Sequence, residues 1–322
     1  MSLGPIPASD SRFMRRVRVH QAWYRTAVLG LTSYGVLAAS GRPCGSVLTD
    51  DSARRDMNFI GEEAAVSYKE RRKLGWGVDP IRCTSYLTSS QTLSFNMFAL
   101  VVSRPAECAQ LFNLLLGRSD LAYLETFRFE FAAQGTPYSL GDKTLIDLLL
   151  RIRTKDGGLQ VIAIETKLAD RFSTRRTSAA GGPKYLHVAS VSRVWRNLAS
   201  AVEDNRTRQL TRCHALAQSV QNLDGLKVDR LAVMVVLTHP QDSTGAGCTA
   251  EYSGHVMSQS SLVHRTWDQF LDCARTSAAM GAASADELDR RYVDLSLSES
   301  SWIELNRQDV SRSERTTRHV AQ

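Results

Sequence analysis

The chain has 322 residues, 43% hydrophobic and 23% charged, with a formal net charge of +7. That length buries a good core, as one large domain or two small ones, and the composition is ordinary for a soluble protein. No apolar stretch is long enough to span a membrane, and the basic excess suits a polyanionic partner without requiring one.

Residues 1–11 are polar, carry two prolines and read as loose. Arg12 to Leu29 reads as a helix, with Val17, Ala22, Trp23, Ala27 and Val28 apolar and Arg15, Arg16, Arg18 and Arg25 charged. A capping helix with a solvated basic face is the simpler reading; an arm on backbone phosphates is the other. The apolar run Ala27 to Ala39 is interrupted by Ser33, Tyr34 and two glycines, and its basic flank lies far from Met1. Both features argue against a secretory leader. Residues 30–56 are turn-rich. Met57 to Leu74 reads as an exposed helix laced with ion pairs, ended by Gly75-Trp76-Gly77 and Pro80. Thr88 to Leu100 opens on good N-cap residues and carries Leu93, Met97 and Leu100 on one face. Ala106 to Leu116 continues as helix.

Leu124 to Phe131 alternates like a strand. Phe127, Phe129 and Phe131 are expected on one side; Thr126, Arg128 and Glu130 on the other. Thr144 to Asp170, TLIDLLLRIRTKDGGLQVIAIETKLAD, then reads as two strands joined by a tight turn at Asp156-Gly157-Gly158. A two-residue loop puts Asp147 on the wrong face. A three-residue loop pairs Lys155 with Leu159, places Asp147 opposite Lys167, and brings Asp147, Glu165 and Lys167 to one face. Ile146, Leu148, Leu150, Ile152, Ile162 and Ile164 then share the other, an apolar match that supports this register independently of chemistry.

Residues 171–184, RFSTRRTSAAGGPK, form a basic loop beside that hairpin. Val188 to Val220 is the strongest helical region and contains Gln209 and Arg212, three residues apart and so on one face. His214 reads as a structural histidine. Arg230 to His239 is a buried strand covered on both sides, Gln241 to Gly254 a loop, Leu262 to Ala279 a helix, and Leu288 to Leu305 a short strand or helix. Residues 306–322 are polar and read as a frayed tail. Cys44, Cys83, Cys108, Cys213, Cys248 and Cys273 show neither C-x-x-C nor zinc-finger spacing, which argues against structural zinc. Their scatter fits a reducing, cytoplasmic compartment.

Two carboxylates and an ammonium on one sheet face suit a hard cation that also takes phosphate oxygens. Such a cation polarises a phosphoryl oxygen and activates a water, and a nearby lysine orients that water or stabilises charge on phosphorus. Asp147 followed by Glu165-Thr166-Lys167 resembles the signature of the PD-(D/E)XK, restriction-endonuclease-like nuclease superfamily. The order helix, strand, Asp strand, ExK strand, helix, strand is similar too; Ile146 replaces the proline that names the motif. The resemblance implies an α/β fold with a central mixed sheet flanked by helices. Residues 85–240 would be the nuclease core, 1–84 an N-terminal helical extension, 241–305 a C-terminal elaboration and 306–322 a disordered tail. It also implies magnesium, with manganese as an option, held by Asp147, Glu165 and the Thr166 carbonyl, while Lys167 serves the attacking water. Glu130, on the neighbouring strand, is a candidate third ligand, ahead of Glu125. Gln91 is the candidate from the preceding helix, ahead of Asn96, and Gln209 the candidate from the following one. Arg171, Arg175, Arg176, Lys184 and Arg212 are expected on nucleic acid, with DNA favoured by the resemblance. A homodimer is an open option. A nucleic-acid binder that has lost the chemistry, or a structural protein with an ordinary ion pair at the motif, are the rivals.

Overall fold

The computed structural model describes residues 3–224 and 230–308. Five strands form one sheet in the order β1-β2-β3-β4-β5. They are β1 (Leu121–Ala132), β2 (Leu145–Thr154), β3 (Leu159–Thr166), β4 (Val233–Thr238) and β5 (Leu262–Thr266). β2 runs antiparallel to both β1 and β3; β3, β4 and β5 are parallel. Every residue of β3 and β4 is buried, as expected for strands covered on both faces.

Alternation sorts the strand residues into two cores. Leu148, Leu150, Ile152, Ile162 and Ile164 pack with α5 (Ser90–Val102), α6 (Pro105–Leu116) and α11 (Trp267–Thr276). Leu149, Val161, Ala163, Met234 and Val236 pack with α7 (Pro183–Ser192), α8 (Leu198–Glu203), α9 (Arg208–Asp224) and α10 (Ser243–His255). Ile146 departs from its expected companions and joins the second core. The same break appears on β1: Phe129 enters the first core, Phe131 packs against the second, and Phe127 is largely exposed. Glu130 lies between those two phenylalanines with φ of 46°, and a left-handed residue ends strict alternation.

The hairpin loop has three residues, Lys155 to Gly157, closed by Thr154 N–H donating to Gly158 O at 3.0 Å, with Gly157 at φ 80°. It sits one residue earlier than the expected loop. Leu148 therefore faces Ile164, and Asp147 falls opposite Glu165 rather than Lys167. A shift of two in register preserves the faces, so the side-chain grouping stands although the pairing differs.

Other elements correct the sequence reading. The helical region expected over Val188 to Val220 is helical but divided among α7, α8 and α9, because Arg193 adopts the left-handed cap of α7 and Asn197 caps α8. The expected loop after β4 is α10, capped by Asp242 accepting from Gly245 N–H. The expected helix from Leu262 begins as strand β5, and α11 opens on a Thr266–Gln269 capping box. The basic face of α1 (Arg12–Ala27) is not solvated: Arg16 donates to Ser298 Oγ at 2.7 Å and pairs with Glu299, and Arg25 donates to Gly45 O and Ser33 O. The expected tail lies largely outside the described residues. All six cysteines are free, and no described helix is long and apolar enough to cross a membrane.

Candidate active site

The sheet places three acids in one row. Phe129 pairs with Leu148 and Phe131 with Ile146, so Glu130 falls opposite Asp147, which in turn falls opposite Glu165. Glu165 is 1% and Glu130 2% exposed. Asp147 Oδ2 accepts from both the backbone N–H and the hydroxyl of Thr166, each at 2.7 Å. Thr166 thus meets Asp147 directly.

Lys167 Nζ donates to Glu165 Oε1 at 2.6 Å and lies 5.2 Å from the Phe172 ring centroid. Its backbone is pinned on both sides, N–H to Leu237 O and carbonyl to Trp267 Nε1–H. Gln209 Nε2 donates to the same Glu165 oxygen at 2.5 Å, and its Oε1 accepts from Ser173 N–H at 2.6 Å. The amide of α9 therefore links the motif acid to the basic loop. Cys213, one turn further along α9, places Sγ 3.6 Å from Glu165 Oε2.

Crowding of acids in a dry site shifts their protonation. Burial, then the Glu165 charge, raises the Asp147 carboxyl to about 7. Burial and the Asp147 charge push Glu130 well above the carboxylate range. For Lys167, burial favours the neutral amine, but Glu165 and Asp147 outweigh it and hold the ammonium charged. Burial and the Glu165 charge push the Cys213 thiol up.

Asp147, Glu130, Gln209 and Cys213 border a cleft of about 820 Å³ whose lining also includes Gln91, Arg175, Arg176 and Arg212, whereas Glu165 and Lys167 are buried and are not part of its lining. Gln91 is held there by donating to Gly77 O at 2.8 Å and accepting from Asp79 N–H. Asn96 instead bonds Asn58 O and Tyr292 OH inside the core, and Glu125 pairs with Arg153. Two expected cations stand apart. Arg171 is exposed and Lys184 donates to Ser139 O, and neither lines the cleft.

Sequence reasoning missed three neighbours. Phe172 caps Lys167 without any spacing signal. Ser173 acts through its backbone, which no side-chain pattern reveals. Cys213 was legible, because it lies four residues after Gln209 and so on the same helix face. Arg71 on α3 (Gly61–Lys73) was also hidden: it clamps the strained residue, donating to Phe129 O at 2.9 Å and to Glu130 O at 2.8 Å.

The family model of the PD-(D/E)XK nuclease superfamily matches residues 8–294, nearly the whole chain. The chain belongs to that superfamily. No curated protein and no solved structure is significantly similar to it. The mixed sheet flanked by helices is the α/β architecture of that class.

Proposed function

We propose that the chain is a divalent-metal-dependent nuclease that hydrolyses phosphodiester bonds of nucleic acid, with DNA as the substrate, leaving 5′-phosphate and 3′-hydroxyl ends. The observation that carries this is the row Glu130–Asp147–Glu165, with Lys167 and Gln209 bonded to its last member, beside a cleft bordered by arginines.

The donor set fits magnesium or manganese by its chemistry. Glu130 Oε1 is buried without a hydrogen-bond partner, and the neighbouring acids repel one another. A hard cation relieves both. Among the described residues, no three such side chains already form a metal cage; the donors are sheet neighbours. Asp147, Glu165, Glu130 and the Thr166 carbonyl would hold the ion, which when bound polarises a phosphoryl oxygen and activates water.

This chain's own residues would do the rest. Lys167, charged and fixed at both backbone groups, orients the attacking water and faces the charge that develops on the phosphoryl oxygens. Gln209 holds the Glu165 carboxylate in one orientation. Thr166 fixes the rotamer of Asp147.

The burial of Glu165 and Lys167 beneath Phe172 favours one alternative, a nucleic-acid binder with a silent site. Incubation with labelled DNA and RNA in magnesium, in manganese and in a chelator separates them. The nuclease reading expects cation-dependent cleavage of DNA. Salt-sensitive binding without cleavage in either metal supports the silent binder instead.

A further inference from the structure

The buried arginines of this chain fall into two kinds. Arg208 spends its donors on Val202 O, Thr174 O, Glu203 O and Asn205 Oδ1. Arg291 donates to the carbonyl and side chain of Asn58. Arg71 and Arg16 are likewise engaged with carbonyls. Such arginines are structural.

Arg212 differs. It is only 7% exposed, its Nε is buried without a partner, as that of Arg291 also is, but among the described residues its one hydrogen bond is a long 3.5 Å contact from Nη1 to Arg175 O. Among the described residues it forms no ion pair within 4.0 Å. Of the acids that line the same cleft, Asp79, Glu130, Asp142 and Asp147, none lies within ion-pair distance of it, and Asp142 is occupied: it accepts from Tyr185 OH at 2.6 Å, Thr144 N–H at 3.0 Å and Thr177 Oγ1 at 3.3 Å. A guanidinium taken out of water with no acid and a single long carbonyl contact is costly. Its planar donors match a phosphate, and it lines the cleft into which a polyanion would enter.

We infer that Arg212 is an anion site for one backbone phosphate flanking the scissile one. This rests on the nuclease reading of the cleft. Gln209, bonded to Glu165, and Arg212 share a face of α9 and are about 4.5 Å apart along its axis, so the guanidinium is offset from the acids.

The test uses the full chain and a labelled DNA oligonucleotide in a chelator, so that binding is read without cleavage. Arg212→Met is expected to weaken binding about tenfold or more. It should also reduce the slope of log affinity against log salt by about 0.9, one phosphate contact. Because the guanidinium makes only one long hydrogen bond in the free protein, the same variant should melt no lower than wild type. Arg212→Lys keeps the charge and should retain the slope. Unchanged affinity and slope in Arg212→Met overturn the site. So does loss of the slope in Arg212→Lys together with a lowered melting temperature, which marks a structural role. In magnesium, Arg212→Met should raise KM with kcat nearly kept; a fall in kcat at constant KM places the residue on the scissile phosphate and overturns the assignment. Wild-type protein that binds DNA but never cuts it counts against the nuclease reading, whereas the slope comparison still decides the anion contact.

Discussion

The half-buried setting of Asp147, then the Glu165 charge, raises its carboxyl to about 7. Its folded pKa lies above the unfolded value near 3.9, so ionising it opposes folding. The penalty is absent below about pH 4, grows as pH rises, and is complete above about pH 7. Asp147→Asn removes it while keeping an oxygen for Thr166. The variant should therefore gain stability over wild type by about 1.4 kcal/mol per pH unit across that window, as urea midpoints at pH 4.5 and 7.5 would show. An equal difference at both pH values contradicts the account. At this scale the motif was legible, since Glu165 and Lys167 are two apart on a strand and share a face by necessity. Glu130 was legible as a polar neighbour. Its left-handed backbone and the Arg71 clamp were not, because both arise from a contact some 60 residues away in sequence, between Arg71 and the Glu130 carbonyl.

The hairpin formed by β2 and β3 carries the acids because its loop has an odd number of residues. Gly157 supplies the left-handed step at φ 80°. Gly157→Ala has open space for its methyl group, so its cost is conformational, about 1 kcal/mol, and the thermal midpoint should fall by a few degrees. No loss would mean that the loop relaxes to another turn. Trp267, the first residue of α11, acts on the site from outside the motif. Trp267→Phe removes the bond to the Lys167 carbonyl and part of a fully buried ring, and should cost about 3 kcal/mol of stability, read as a shift in denaturant midpoint. An unchanged midpoint argues that the bond is dispensable. Parity survived the register error because it repeats every two residues, whereas the turn could start at either of two adjacent positions. Strand β5 escaped notice because five residues, LVHRT, are too few for a period. The capping box at Thr266 and Gln269 was the signal that separated it from α11.

Across the whole molecule, much of the basic excess is structural. Arg16, Arg25, Arg71, Arg208 and Arg291 tie segments distant in sequence through carbonyls, which net charge alone does not reveal. Buried histidines do similar work. Burial lowers His20 and His239 to about 4 and His214 to about 3. A folded pKa below the unfolded value near 6.5 gives stability that is full above pH 6.5 and is lost as pH falls toward 4. Each histidine contributes about 1.4 kcal/mol per pH unit, partly offset by Asp147 and Glu130, whose shifts have the opposite effect. His20→Gln, which can still donate to Arg290 O, should lose about 2 kcal/mol less than wild type between pH 6.5 and pH 5; an identical loss in the two proteins contradicts the assignment.

The central claim joins the row of acids to the lysine beneath Phe172, and single-turnover cleavage of labelled DNA in magnesium tests it most directly. Wild type should cut and leave a 5′-phosphate. Glu165→Ala and Lys167→Ala, checked for native folding, should be slower by at least about a hundredfold. If both variants cut as fast as wild type, the chemistry resides elsewhere in the molecule.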